Sequence, residues 1–271
     1  MYKIIYIYMD KEEYLIFNPE GGLGKIIAST AVTRNIKAAH PERKIIVVTP
    51  WPEVYLNNPD VYRVFRSGVI PYFYKDYIEG RNTIILKGEP YFNTGHLYNK
   101  RVLAESWCDT HSIKWDGDNT PGLFYTPAEV ERMSNQFARS KPTLLLQTNG
   151  GMFHDNEIGY CWTRDIPNGQ AQILVDNLKE QYHILHVTRP NCPSLHGVEA
   201  LPEIDKRTLM LLPGIVQKRI LIDSCLQHAA AAFSVESSVL WIGTSPDVFG
   251  YDVHKNFKPT VKPIEGQNTA G

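Results

Sequence analysis

The chain is poor in cysteine, has no surplus of either charge and contains no long apolar run, and each shortage removes a class of function. Its four cysteines, at positions 108, 161, 192 and 225, form no C-x-x-C pair and have no histidine at zinc spacing. They read as reduced thiols of a cytosolic protein, not as a disulfide framework or a structural zinc site. With 28 basic and 29 acidic side chains the formal net charge is −1. Proteins that live on nucleic-acid electrostatics usually carry a basic excess, so general nucleic-acid binding has no global support, although a local basic face stays open. No apolar run approaches the ~20 residues of a membrane span. The opening stretch 3–9 is too short for a signal peptide and runs at once into Asp10, Lys11, Glu12 and Glu13. The expectation is a cytoplasmic chain with no integral membrane association, any contact with the inner membrane being peripheral. What is present, 43% hydrophobic and 21% charged residues over 271 positions, suits one large core or two cores of ordinary domain size.

The N-terminal half opens with a buried-strand candidate at 15–17, followed by the loop Asn18-Pro-Glu-Gly-Gly-Leu-Gly24. A helix is predicted over 25–39 from the spacing of Ile26, Ile27, Ala31, Ile36 and Ala39, and a strand at 44–49 from its β-branched run. The order is that of a βαβ unit. Two glycine-loop motifs fail here. A P-loop needs a glycine where Pro19 stands and a hydroxyl where Ile26 stands, and a dinucleotide fingerprint needs a third glycine where Ile27 stands. What survives is a backbone that Gly21, Gly22 and Gly24 allow to approach a ligand closely. A short helix and a strand are expected within 52–64, a strand at 83–87 and a helix at 102–108. The aromatic-rich region between them, from Tyr72 to Tyr98, reads either as loop packing or as a stacking surface for sugars or bases.

The densest cluster of turn formers, 115–122, marks a linker and divides the chain into 1–118 and 119–271. Asp116-x-Asp118 within it resembles a metal-holding carboxylate pair, but its Gly, Asn and Pro neighbours favour a turn. A helix capped by Thr126 is predicted over 127–138, then strands at 143–147 and 183–188 separated by a long polar loop and a helix at 170–180. A third strand begins at Ile220. It leads into a turn at Asp223-Ser224, a small-residue helix with His228 in its first turns, a strand at 238–243 and a loop at 244–246. Strand, polar turn and helix N-terminus make an anion-binding arrangement, because free N–H groups and the positive end of the helix dipole face whatever sits there. Ser224 and Asp223 are also good N-caps, so an ordinary capped helix stays open. The fold class read from this order is α/β, two Rossmann-like βαβ domains facing across a cleft, with ligands at the carboxyl ends of the strands. Arg164, Arg189, Ser224 and Thr244 suit a nucleotide diphosphate there, His228 can donate to phosphate or sugar, and Asp223 orients the site or contacts the sugar.

Asp223-Ser-x-x-x-His228-x-Ala-Ala231, the apolar strand after it and Gly243-Thr-x-Pro246 resemble the donor-sugar site of the ADP-heptose lipopolysaccharide heptosyltransferase family. Gly24 after the first strand, Ala39-His-Pro41, the strand at 44–49 and Asn58-Pro-Asp-Val61 fall in the family's order, so the likeness runs with gaps from Leu15 to Tyr251. It implies the two-domain glycosyltransferase B fold and transfer of a sugar from a nucleotide-diphosphate donor to an acceptor hydroxyl. Neither a metal nor a cofactor is expected, and inversion at the anomeric carbon is. The acceptor implied is a lipopolysaccharide or other saccharide, with a hydroxymethylated DNA base as the alternative. The family usually has an aspartate base just after its last loop glycine; here Lys25 stands there, and an ammonium is no base unless its pKa falls by several units. Glu20 in the same loop is the replacement considered, so Glu20 and Lys25 are the candidate catalytic residues and Gly22 and Gly24 the backbone that closes on the ligand. Cys225 also replaces a glycine usual in the family. Two other readings stay open: a nucleotide-sugar-binding module without catalysis, and a nucleotide-sugar epimerase.

Overall fold

The computed structural model describes residues 12–150, 161, 163–189 and 192–258. The first half runs β1 (Tyr14–Phe17), α1 (Leu23–Ala39), β2 (Lys44–Thr49), β3 (Arg63–Arg66), α2 (Phe73–Tyr77), β4 (Thr83–Leu86), α3 (Thr94–Asn99) and α4 (Leu103–Thr110). The second runs α5 (Pro127–Gln136), β5 (Thr143–Gln147), α6 (Asn168–Leu178), β6 (His183–Val187), β7 (Glu199–Leu201) and α7 (Lys206–Ile215), then β8 (Lys218–Ile222), α8 (Cys225–Ala232), β9 (Ser238–Leu240), α9 (Pro246–Phe249) and β10 (Lys255–Phe257). The expected α/β architecture is present as two sheets, a four-stranded one ordered β3-β2-β1-β4 and a six-stranded one ordered β10-β9-β8-β5-β6-β7. Every strand pairing in both is parallel.

Burial explains why these segments are strands. All four residues of β1 and all five of β5 are buried, as a central parallel strand covered on both faces requires. The sequence-based boundaries differ from the structure mainly at element ends: the strand expected to reach 243 stops at Leu240, and the helix expected to reach 138 stops at Gln136. Thr126 caps α5 as expected, in a capping box with Glu129. Unforeseen elements are α2, α3, α7, α9, β7 and β10. The helical pattern of α7 is masked by Pro213 and Gly214; the helix is started by Asp205, whose side chain accepts from the Thr208 amide. β7 and β10 are three-residue edge strands, too short to show a period.

Residues 115–122 form the connecting segment. Asp116 accepts from the Asp118 amide and Asp118 from the Thr120 amide, a chain of side-chain turns, and Gly117 has φ +91. Arg34 of α1 grips this turn through Asp116 Oδ2 at 2.7 Å and Asp118 Oδ2 at 3.1 Å, so both carboxylates are engaged by a guanidinium. The two sheets are not independent bodies in packing: α1 lies against α8, and Met210 and Ala229 of the second half join the apolar core built on Leu15, Phe17, Ile27 and Ile36. Arg207 adds a polar tie, donating to Glu129 Oε1 at 2.8 Å and to the Glu53 carbonyl at 3.2 Å, with its guanidinium 3.6 Å from the Tyr125 ring centre.

Candidate active site

Strand order decides where a site can form. In the first sheet β1 lies between β2 and β4, and in the second β5 lies between β6 and β8, so the chain leaves each sheet in opposite directions at those points. Loops that diverge at such a switch point leave a crevice at the carboxyl ends of the strands. The loops after β1, β4, β5 and β8 do line one cleft of about 1050 Å³, contributing Gly21 to Lys25, Glu89, Asn149 with Gly150, and Asp223 with Ser224. The ends of β6 and β7, the loop after β7 and the first turn of α7 close one side with Val187, Leu201, Ile204 and Leu209, an apolar wall.

Two helices aim their amino ends at this cleft. α1 begins at Gly22 and α8 at Ser224, and at neither does a side chain cap the first turn. Ser224 therefore does not make the capping bond that its type suggests; its Oγ instead lies against Gly150, where an added Cβ would stand 2.7 Å away. Gly24 serves the meeting of the halves. A Cβ there would lie 3.2 Å from Cys225 Cα, 3.3 Å from its amide nitrogen and 3.0 Å from His228 Cδ2, so the lack of one lets α1 touch the start of α8. Both helices thus present the positive ends of their dipoles to the cleft.

Arg164 adds a full charge. Its side chain makes no hydrogen bond or ion pair among the described residues, its buried Nε lacks a partner, and it lines the cleft. Its charge is felt by Asp223, Tyr91 and His228. Arg189 lines the cleft too but is differently placed: Nη2 lies 2.9 Å from Asp165 Oδ2, and Asp165 also accepts from the amides of Gly150 at 3.0 Å and Cys161 at 2.9 Å. Asp165, which sequence reasoning passed over, thus anchors both the β5 loop and Arg189.

Asp223 is buried at the end of β8, and burial raises its carboxyl pKa; the nearby Thr244 hydroxyl and Arg164 act the other way. Thr244 Oγ1 is itself buried, close enough to act on Asp223 yet without a hydrogen bond of ordinary length and angle. Gln147 Oε1, at the end of β5, is likewise buried without a partner. His228 is buried, its Nδ1 lies 2.8 Å from the Tyr251 hydroxyl, and burial lowers its pKa to about 3, so the ring is neutral at physiological pH.

The glycine loop differs from expectation in which of its charges reach the cleft. Glu20 is exposed, lies 3.1 Å from Lys87 and does not line the cleft. Lys25 does line it, held by both oxygens of Glu89 at 2.5 Å, with Nζ 4.6 Å from the Tyr91 ring centre. Glu89 follows β4 and Lys25 follows β1; no sequence signal links them, and only the pairing of β1 with β4 brings them together. Of the aromatic region, Tyr91 lines the cleft and, with His96, contacts Phe249 of the second half at 6.4 and 5.9 Å between ring centres. Tyr77 is buried, whereas Tyr72, Tyr74, Phe92 and Tyr98 are exposed. Trp162 and residues 151–160 of the polar loop lie outside the described residues. Among the described residues no group of three or more His, Cys, Asp or Glu could hold a metal ion, and no helix is long and apolar enough to cross a membrane.

Two Rossmann-like sheets with a shared cleft at their strand ends define the glycosyltransferase B architecture. Solved structures of that form superpose on the chain. ADP-heptose lipopolysaccharide heptosyltransferase II of E. coli matches with a TM-score of 0.66 at 15% identity, over 94% of this chain and 92% of that one. A glycosyl transferase family 9 protein of Veillonella parvula matches at 0.63 and 10% identity, over 94% and 88%. E. coli heptosyltransferase WaaC, solved with ADP, matches at 0.58 and 11% identity, over 90% and 93%. At these identities the likeness is one of fold. No family model matches the sequence, and no curated protein does.

Proposed function

We propose that the chain is a glycosyltransferase that moves a sugar from a nucleotide-diphosphate sugar to an acceptor hydroxyl, with inversion and without a metal ion. The observation that carries the reading is the unpartnered Arg164 guanidinium beside the uncapped start of α8. Arg164 is half-buried with an unsatisfied Nε, so an anion that meets it gains charge-assisted hydrogen bonds, and a diphosphate bound at the Ser224 turn is such an anion. One of the solved structures that share the fold, E. coli heptosyltransferase WaaC, was solved with ADP, which supports a nucleotide as the ligand class.

In this reading the diphosphate lies over the α8 amides with Ser224 and Arg164, the Thr244 hydroxyl offers a donor that lacks a partner within the protein, and Gln147 Oε1, an acceptor, is left for a sugar hydroxyl. The nucleobase rests on the apolar wall of Val187, Leu201, Ile204 and Leu209. Neutral His228, with Nδ1 engaged by Tyr251 and Nε2 3.2 Å from the Gln227 side-chain nitrogen, lines the donor side as an uncharged ring. As the anomeric carbon–oxygen bond breaks, negative charge builds on the departing diphosphate, and Arg164 and the helix dipole stabilise it; each well-placed donor contributes on the order of a few kcal/mol. The first half, 1–118, presents the acceptor, a saccharide hydroxyl, and the second, 119–271, holds the donor.

The test is a thermal-shift titration with ADP, UDP, GDP and CDP and their sugars, followed by mass analysis of products with saccharide acceptors and with hydroxymethylated DNA. A concentration-dependent rise in Tm with one nucleotide and a mass gain on the acceptor are expected. No shift with any nucleotide at millimolar concentration refutes the reading. Binding without turnover would make the chain a nucleotide-sugar-binding module, and an altered sugar still attached to its nucleotide would make it an epimerase.

A further inference from the structure

We infer that Glu89, held by Lys25, is the general base that takes the proton of the acceptor hydroxyl. The inference rests on the glycosyl-transfer reading and concerns the acceptor side of the same cleft. Among the described residues four carboxylates line the cleft, Glu89, Glu203, Asp205 and Asp223, and Glu89 alone among them comes from the first half. The other three have other placements: Asp205 caps α7, Glu203 is exposed at the apolar wall beyond β7, and Asp223 is buried on the donor side between Thr244 and Arg164. Glu89 stands at the carboxyl end of β4, directly beside the glycine loop that follows β1, which is the switch point of the first sheet.

Its setting is that of an oriented base. Lys25 Nζ donates to both carboxylate oxygens at 2.5 Å, and the Tyr91 amide donates to Oε1 at 3.2 Å. Oε2 therefore has acceptor capacity left, and the side chain is 34% exposed towards the cleft. Lys25 is itself locked, 9% exposed and stacked over Tyr91, so the carboxylate cannot swing away from the acceptor side. Tyr91 spans the gap to the donor side, since its hydroxyl feels the charges of Asp223, Glu89 and Arg164 together. Lys25 thus supplies the position of the base rather than the base.

The step balances as an inverting displacement. The acceptor O–H proton passes to Glu89 Oε2 while the acceptor oxygen forms its bond to the anomeric carbon. The carbon–oxygen bond to the nucleotide diphosphate breaks, its electron pair leaves on the diphosphate facing Arg164, and protonated Glu89 returns its proton to solvent. Lys25 is a positioning residue in this scheme.

The experiment compares the full chain with Glu89→Gln, Glu89→Asp, Lys25→Met and Glu20→Gln. It measures ADP and UDP binding by calorimetry, sugar transfer by mass, and donor hydrolysis without acceptor, using ADP-heptose and UDP-glucose. Expected for Glu89→Gln is a loss of transfer of roughly 10²- to 10⁴-fold with nucleotide affinity within about threefold of the parent, because a general base contributes about that factor and does not touch the nucleotide. Glu89→Asp recovers part of the rate, and the acid limb of the parent's pH profile disappears from the residual Glu89→Gln activity. Lys25→Met lowers the rate and shifts that limb, which a merely structural lysine would not do. Glu89→Gln transferring within several-fold of the parent overturns the inference, as does the reverse pattern with only Glu20→Gln inactive. A parent that binds nucleotide but neither transfers nor hydrolyses overturns it too, leaving the binding reading intact, whereas a parent that binds no nucleotide removes both.

Discussion

Replacing Arg164 and Arg189 in turn by glutamine separates ligand recognition from scaffold. Arg164 has no partner among the described residues and a buried, unsatisfied Nε, so the unliganded protein loses no ion pair when it is removed. The Tm of the unliganded protein should therefore stay unchanged or rise. Asp223, which feels the Arg164 charge, already has a carboxyl raised by burial and can absorb the change by holding its proton. Nucleotide binding should suffer instead. A charge-assisted hydrogen bond to phosphate is worth about 1.5–3 kcal/mol, which is a weakening of roughly 10- to 150-fold in Kd. Arg189→Gln should behave in the opposite way, because it strips the guanidinium from Asp165, whose side chain is 2% exposed. Breaking a buried pair costs about 3–5 kcal/mol, a fall in Tm on the order of 10 °C for a chain of this size. Calorimetry with the nucleotide selected by thermal shift, and unfolding scans of the unliganded variants, read the two effects apart. Parent-like affinity in Arg164→Gln would refute the argument, since nothing else in the site assigns that side chain a use.

Two further outcomes follow from packing and from titration. Gly24→Ala should cost about 1–3 kcal/mol and weaken nucleotide binding, because the new Cβ meets the Cys225 backbone, which cannot move aside as a side chain could. Gly22→Ala, whose Cβ meets open space, should leave the unfolding midpoint in denaturant nearly unchanged. The hydrogen bond from Arg207 holds the Glu129 carboxyl at about 2, below its ordinary 4.5. The pair therefore contributes its stability in full above pH 4.5 and loses it as pH falls through about 2, by at most about 3 kcal/mol. Denaturant unfolding at pH 7 and pH 2.5 should show the gap between parent and Glu129→Gln shrinking in acid, and a constant gap would contradict the assignment.

Much of the frame is legible in the sequence because it is local. Continuous apolar runs announce the central strands, the spacing of isoleucines announces α1, and Thr126 announces the start of α5. The Asp223-Ser224 turn and the helix behind it can be read from residue type alone, and the structure places them on the cleft. Whether the turn is an ordinary cap cannot be read in that way. Ser224 has the right chemistry to cap α8, but Gly150, distant in sequence, takes up the space beside its hydroxyl. The two arginines look equivalent in the sequence, and only Asp165 makes them unlike.

What the sequence determined by itself was the kind of backbone each segment adopts and the presence of an anion-ready turn, since those depend on neighbours a few residues away. Tertiary structure decided which charges face one another. The parallel pairing of β4 with β1 carries Glu89 to Lys25 and leaves Glu20 outside the cleft with Lys87. Electrostatic partnership depends on distance in space, and a separation of 64 residues along the chain carries no trace of a 2.5 Å contact.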